Sequence, residues 1–120
     1  MKSFKELIVW EKSHRLAVQV YVDTKRFPKE ELNGLTAEMR RCSASIPAKI
    51  AEGCGRNRDS ELARFFEMAM GAACELEYLF LLSRDLGYLG QEEFNGRGGT
   101  IIEIKRMLAS FLQKLKTDRA

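Results

Sequence analysis

Apolar residues recur along this chain at every third or fourth position, and nowhere do they alternate with a period of two. That spacing predicts helices throughout and no sheet. Trp10, Ser13, Ala17, Val20, Thr24 and Phe27 form a first stripe, with Leu16, Tyr21 and the lone His14 at its edges as packing residues. Ser3 and Glu6 have the spacing of a capping box, so a helix should follow and end near Arg26. Pro28 opens a turn that Gly34 closes. A second helix then runs from about Leu35 to Glu52, where Gly53 and Gly55 stop it. Asp59 or Ser60 is the expected N-cap of a third helix, reaching about Leu86 with Gly87 as its stop. Ile101, Ile104, Leu108, Leu112 and Leu115 mark the buried face of a fourth, ending near Lys116. The weak place is "NGRGG" at 95–99, because a glycine inside a helix costs about 1 kcal/mol relative to alanine. Either the fourth helix begins near Thr100 or its first half is soft. Four helices with short joins predict an all-α, antiparallel up-down four-helix bundle, one domain over residues 1–120.

The second and third helices carry more apolar surface than one bundle can cover. In the second, Leu35, Met39, Cys42, Ile46 and Ile50 share the core face, while Ala37, Ala44, Ala48 and Ala51 lie nearly opposite. An alanine face permits close approach of another helix. In the third, Phe65, Phe66, Ala69, Ala73, Leu76 and Phe80 fill one stripe, leaving Met68, Met70, Leu79, Leu81 and Leu82 without a place in a lone bundle. Self-association is therefore expected, with Ala44, Ala48, Ala51, Met70 and Leu81 at the contact.

Pro47 interrupts the second helix, removes one backbone hydrogen bond and should kink it. Ser43 and Ser45 are placed to bond the freed carbonyls. Glu52 sits where the helix dipole opposes an acid by about 0.3–1 kcal/mol, so a cationic partner is expected: Arg56, Arg58 or, more distantly, Arg41. Pro47, Glu52, Gly53 and Gly55 together read as a structured corner.

Chemistry is sparse. No GxSxG, HExxH or phosphate-loop pattern occurs, and Gly53 and Gly55 follow a helix rather than a strand. Cys42, Cys54 and Cys74 form no CxxC pair and read as reduced thiols. No catalytic residue, cofactor or metal is expected. No apolar run approaches ~18 residues and no signal-peptide core is visible, so the expectation is a cytoplasmic protein without a membrane segment. Net charge is only +3. Within it, Arg40, Arg41, Lys49, Arg56 and Arg58 outnumber Glu38 and Glu52 over residues 35–58. These five are the candidate contacts to nucleic-acid phosphates, strengthened by repetition if copies form a ring.

Five stretches in order, "VWEKSHRLAVQVY", "FPKEE", "RRCSASIPAKIAEGCGR", "RFFEMAMGAACELEYLF" and "LGYL", resemble the four-helix-bundle family encoded by intervening sequences of bacterial large-subunit ribosomal RNA genes. The accessory protein of diversity-generating retroelements is a related branch. The resemblance covers about residues 4–116. It implies an up-down bundle assembled as a homopentamer, no enzymatic activity, and association with RNA or DNA. It also implies, as partners, a reverse transcriptase or another protein. The chain departs from the family pattern at Lys49, where asparagine is usual, at Ala72 and Ala73, where a serine is usual, and at "NGRGG". The expected function is that of a non-catalytic oligomer making weak electrostatic contact with nucleic acid. The alternative is a protein-interaction scaffold that binds none.

Overall fold

The computed structural model describes residues 3–119, with side-chain surroundings through 116. Four helices make the fold: α1 (Ile8–Thr24), α2 (Leu35–Cys54), α3 (Asp59–Asp85) and α4 (Gln91–Arg119). No strand occurs among the described residues. Each helix packs on its chain neighbour, and α4 closes the bundle against α1. Cross-helix contacts fix the directions. Lys12 meets Glu103 and Asp23 meets Arg97 across α1 and α4. Met39 meets Ser83 and Cys42 meets Ala72 across α2 and α3, while Phe66 meets Phe111 and Arg84 meets Phe94 across α3 and α4. In each pair, rising numbers on one helix meet falling numbers on the other, so the helices are antiparallel. The bundle measures 48 × 22 × 20 Å.

The predicted core faces are buried. Leu35, Met39, Cys42, Ile46 and Ile50 of α2 face Leu62, Phe66, Ala69, Ala73, Leu76 and Phe80 of α3, with Ile101, Ile104 and Leu108 of α4. Three expectations change. Leu79 is buried in the core rather than left over, and Met70 and Leu82 pack half-buried against it. The Ser3–Glu6 capping box exists, but it caps a 3-10 turn at Phe4–Glu6, and Leu7 is extended before α1 begins. At α3 the N-cap position is Arg58, without a side-chain cap, and Asp59 is already helical. His14 is exposed and lies flat against Trp10, ring centroids 5.1 Å apart, so it packs on the outside of the stripe.

The glycine-rich segment is helical from Gln91 onward. Its hold comes from Arg97, which lies among the glycines and reaches α1. Nε donates to Asp23 Oδ2 at 2.8 Å and Nη2 to Oδ1 at 3.0 Å, with the Asp23 side chain 3% exposed. Arg26 also reaches Asp23 and pairs with Glu93. Glu92 and Glu93 in the first turn suit the helix dipole. Tertiary contacts thus override a poor local propensity.

At the end of α3, Gly87 takes a φ of 80°, a left-handed conformation that suits glycine. The Tyr88 N–H bonds the Ser83 carbonyl at 2.8 Å and the Gly87 N–H bonds Arg84 at 2.9 Å, a Schellman closure. The Tyr88 hydroxyl then donates to Glu31, which also accepts from the Leu35 N–H, tying this loop to the start of α2.

Candidate nucleic-acid interface and self-association faces

The corner between α2 and α3 is built on a close approach. A Cβ on Gly53 would lie 3.0 Å from Phe65 Cβ and 3.2 Å from Leu62 Cδ1, so only glycine lets the end of α2 press onto α3. Gly55 forms the C-cap and Pro47 is buried mid-helix. α2 continues across Pro47, and the Ser43 hydroxyl donates to the Arg40 carbonyl at 3.1 Å. It does not reach its own carbonyl, the one Pro47 leaves without a donor. Glu52 does have a cationic partner, but none of the arginines expected. Lys49 Nζ lies 3.2 Å from its Oε1, one turn earlier on the same helix. Both side chains are partly exposed, and such a pair stabilises by roughly 0.3–0.5 kcal/mol.

The five predicted basic residues separate by what they already hold. Arg40 donates to the Thr24 hydroxyl at 2.9 Å and stacks over Tyr21. Arg41 pairs with Glu38 and, at 3.1 Å, with Glu75. The bond to Arg41 holds the Glu38 carboxyl below its ordinary range. Lys49 holds Glu52, and Arg56 lies 3.9 Å from Glu61. Arg58 is exposed and its side chain holds no carboxylate. Sequence reasoning missed Arg64. Its guanidinium stacks 4.8 Å from the Phe65 ring centroid, and Arg56 and Lys49 reach the same ring at 4.9 and 5.9 Å. The corner therefore gathers Lys49, Arg56, Arg58 and Arg64, while Arg40 and Arg41 belong to the opposite half of α2.

The apolar faces are partly as expected. Ala48 is exposed, and Ala44 and Ala51 are half-buried. Leu81 is 37% exposed and Met70 is half-covered by its own bundle. A furrow runs between α3 and α4. Its upper part, of 610 Å³, is lined by Cys74, Tyr78 and Leu81 from α3 and by Phe94, Gly98, Gly99 and Ile102 from α4. Two smaller hollows lie on the same seam, one beside Met70, Arg106 and Ala109 and one beside Ala63, Glu67 and Lys116. Gly98 and Gly99 leave the floor of the upper part open, which the glycine-rich sequence could have signalled.

The hydroxyls of Ser13, Thr24, Ser43, Ser83 and Thr100 each donate to a carbonyl of their own helix. Burial pushes the Cys42 thiol up to about 12, and its hydrogen points to the Ala72 carbonyl at 3.0 Å. No three His, Cys, Asp or Glu side chains converge as a metal site among the described residues. No described helix is long and apolar enough to cross a membrane.

The sequence pattern of the 23S rRNA-intervening sequence proteins matches residues 5–110. The chain belongs to that family. A crystal structure of a protein of unknown function from the S23 ribosomal protein family of Bacteroides thetaiotaomicron superposes with a TM-score of 0.79 at 22% identity. The match covers 88% of this chain and 98% of that one, and supports the fold alone. Comparison with curated proteins gives no match. The family assignment agrees with the resemblance carried by the five sequence stretches, and the function of the family is not established.

Proposed function

We propose that this intervening-sequence protein is a non-catalytic, self-associating cytoplasmic bundle that contacts RNA or DNA phosphates weakly and without reading sequence. It acts as an accessory to another protein, with a reverse transcriptase as one candidate. A pentamer is the assembly implied by the family resemblance. The observation that supports phosphate contact is the α2–α3 corner. Lys49, Arg56 and Arg64 converge on one ring beside Arg58, and neither Arg58 nor Arg64 holds a carboxylate. Phe65 is 4% exposed, so bases cannot stack on it. The contact is electrostatic and salt-sensitive. Arg58→Gln with Arg64→Gln removes two charges and should flatten the log–log salt dependence of duplex binding by about 1.8. Filter binding at two salt concentrations measures it. Wild type that retains no RNA or DNA at low salt removes this reading.

A second reading, a scaffold that binds only protein, draws on the α3–α4 furrow and on the ion pairs that already occupy Arg41, Lys49 and Arg56. Ala48→Glu places a charge on the exposed face of α2 and should weaken self-association without touching the core. Light scattering at micromolar concentration reports it. A monomeric wild type would remove self-association.

A further inference from the structure

The antiparallel bundle separates charge along its long axis. The half that carries the α2–α3 corner comprises residues 3–15, 45–72 and 104–116, with eleven Lys and Arg against six Asp and Glu. The other half, residues 16–44 and 73–103, has seven against ten. Sequence order hides this polarity, because three separate segments build the positive end.

The largest contribution comes from α4. Residues 104–116 contain four cations and no acid. Lys105 is engaged by Glu77 at 2.7 Å, while Arg106, Lys114 and Lys116 are exposed and hold no carboxylate among the described side chains. At 100° per residue, Arg106 lies at the middle of the outer face, with Lys114 and Lys116 about 80° to either side. Exposed Ala109 and Ser110 between them are short, and the exposed Gln113, near the centre of the strip, is uncharged and polar. From Arg106 to Lys116 the strip is about 15 Å long. Duplex nucleic acid presents roughly nine phosphate charges over that length.

We infer that this outer face of α4 is a phosphate-contacting surface for RNA or DNA, larger than the corner and on the same end of the bundle. The inference rests on the nucleic-acid reading above and names where most of the contact lies. The face is unsuited to an anionic membrane. Met107, Phe111 and Leu112 pack toward the core and Leu115 is buried, so no large apolar side chain on the strip is free to enter the acyl boundary.

The test uses the full chain with Arg106→Gln, Lys114→Gln and Lys116→Gln together. Because all three side chains are exposed, the thermal melt should match wild type. Fluorescence anisotropy with a mixed-sequence RNA duplex, at 50 and 200 mM salt, reads the effect. Three fewer phosphate contacts flatten the salt slope by about 2.7, so wild type should lose about 40-fold more affinity across that range than the variant. Lys25→Gln with Lys29→Gln, on the opposite half, should leave the slope unchanged. Equal slopes for wild type and the α4 variant would overturn the inference while leaving the corner reading intact. Wild type that binds no nucleic acid would remove both. Binding to phosphatidylserine vesicles in preference to RNA would also overturn it.

Discussion

Arg97→Met is the substitution most informative about how the fold is held. It removes both short bonds to Asp23, whose side chain is 3% exposed, and leaves Arg26 at 3.5 Å as the remaining cation. Breaking a buried pair by deleting one partner costs about 3–5 kcal/mol, because the other charge is stranded. Arg26 stays in reach and the Arg97 side chain is itself 20% exposed, so the expected cost is at the low end, about 3 kcal/mol. A chain of this length has an unfolding entropy near 0.25 kcal/mol per kelvin, so the midpoint should fall by about 12 °C. Asp23→Asn removes the stranded charge, and the double variant should recover much of the loss. Urea unfolding at one fixed protein concentration gives the four stabilities of the cycle, with association held constant. A coupling energy below about 0.5 kcal/mol would refute the claim that this pair anchors α4 to α1.

The glycines separate into two kinds. Gly96→Ala meets no atom within 4 Å and should stabilise by about 1 kcal/mol, whereas Gly53→Ala collides with Phe65 and Leu62 and should destabilise by about 1–3 kcal/mol; thermal melts decide both. The three thiols should react with a disulfide reagent in order of exposure, Cys74 before Cys54, with Cys42 protected until the protein unfolds. Burial raises the Cys42 thiol from 9.0 to about 12, so its contribution to stability is intact below pH 9 and declines as pH rises from there toward 12. Cys42→Ser should flatten that alkaline decline, measured as urea midpoints against pH.

The helix faces were legible because burial follows the 3.6-residue period, and each predicted α2 core position is buried. The stop at Gly87 was legible because one residue type suits its φ. The start of α4 was not. Propensity counted three glycines, and the contact that outweighs them joins Arg97 to Asp23 from the far side of the chain. The partner of Glu52 was within reach of sequence, since Lys49 stands at i−3 on the same face, the spacing at which helix side chains meet. Treating Lys49 as a phosphate ligand hid it. Arg64 and the cations of α4 were missed for a different reason. Charge summed over consecutive segments cannot register a surface assembled from the ends of antiparallel helices.

Charge polarity and apolar surface lie on different axes of this bundle, and that constrains how copies can combine. The upper part of the furrow, between Tyr78 and Leu81 of α3 and Phe94 and Ile102 of α4, contains no residue of the α4 strip, so a copy seated there lies side by side with the first and leaves Arg106, Lys114 and Lys116 uncovered. Electrostatics alone favours antiparallel copies, each positive end beside a neighbour's negative end, and such an assembly spreads the cations over both faces. A ring of parallel copies works against that preference but places every α4 strip on one face, where weak contacts to one nucleic acid reinforce each other. The two arrangements respond oppositely to salt. Screening weakens the antiparallel assembly and relieves repulsion in the parallel one. Sedimentation of the free protein at low and high ionic strength therefore distinguishes a face-forming ring from an alternating stack before any nucleic acid is added. Association that tightens with salt is the result the phosphate-binding ring requires.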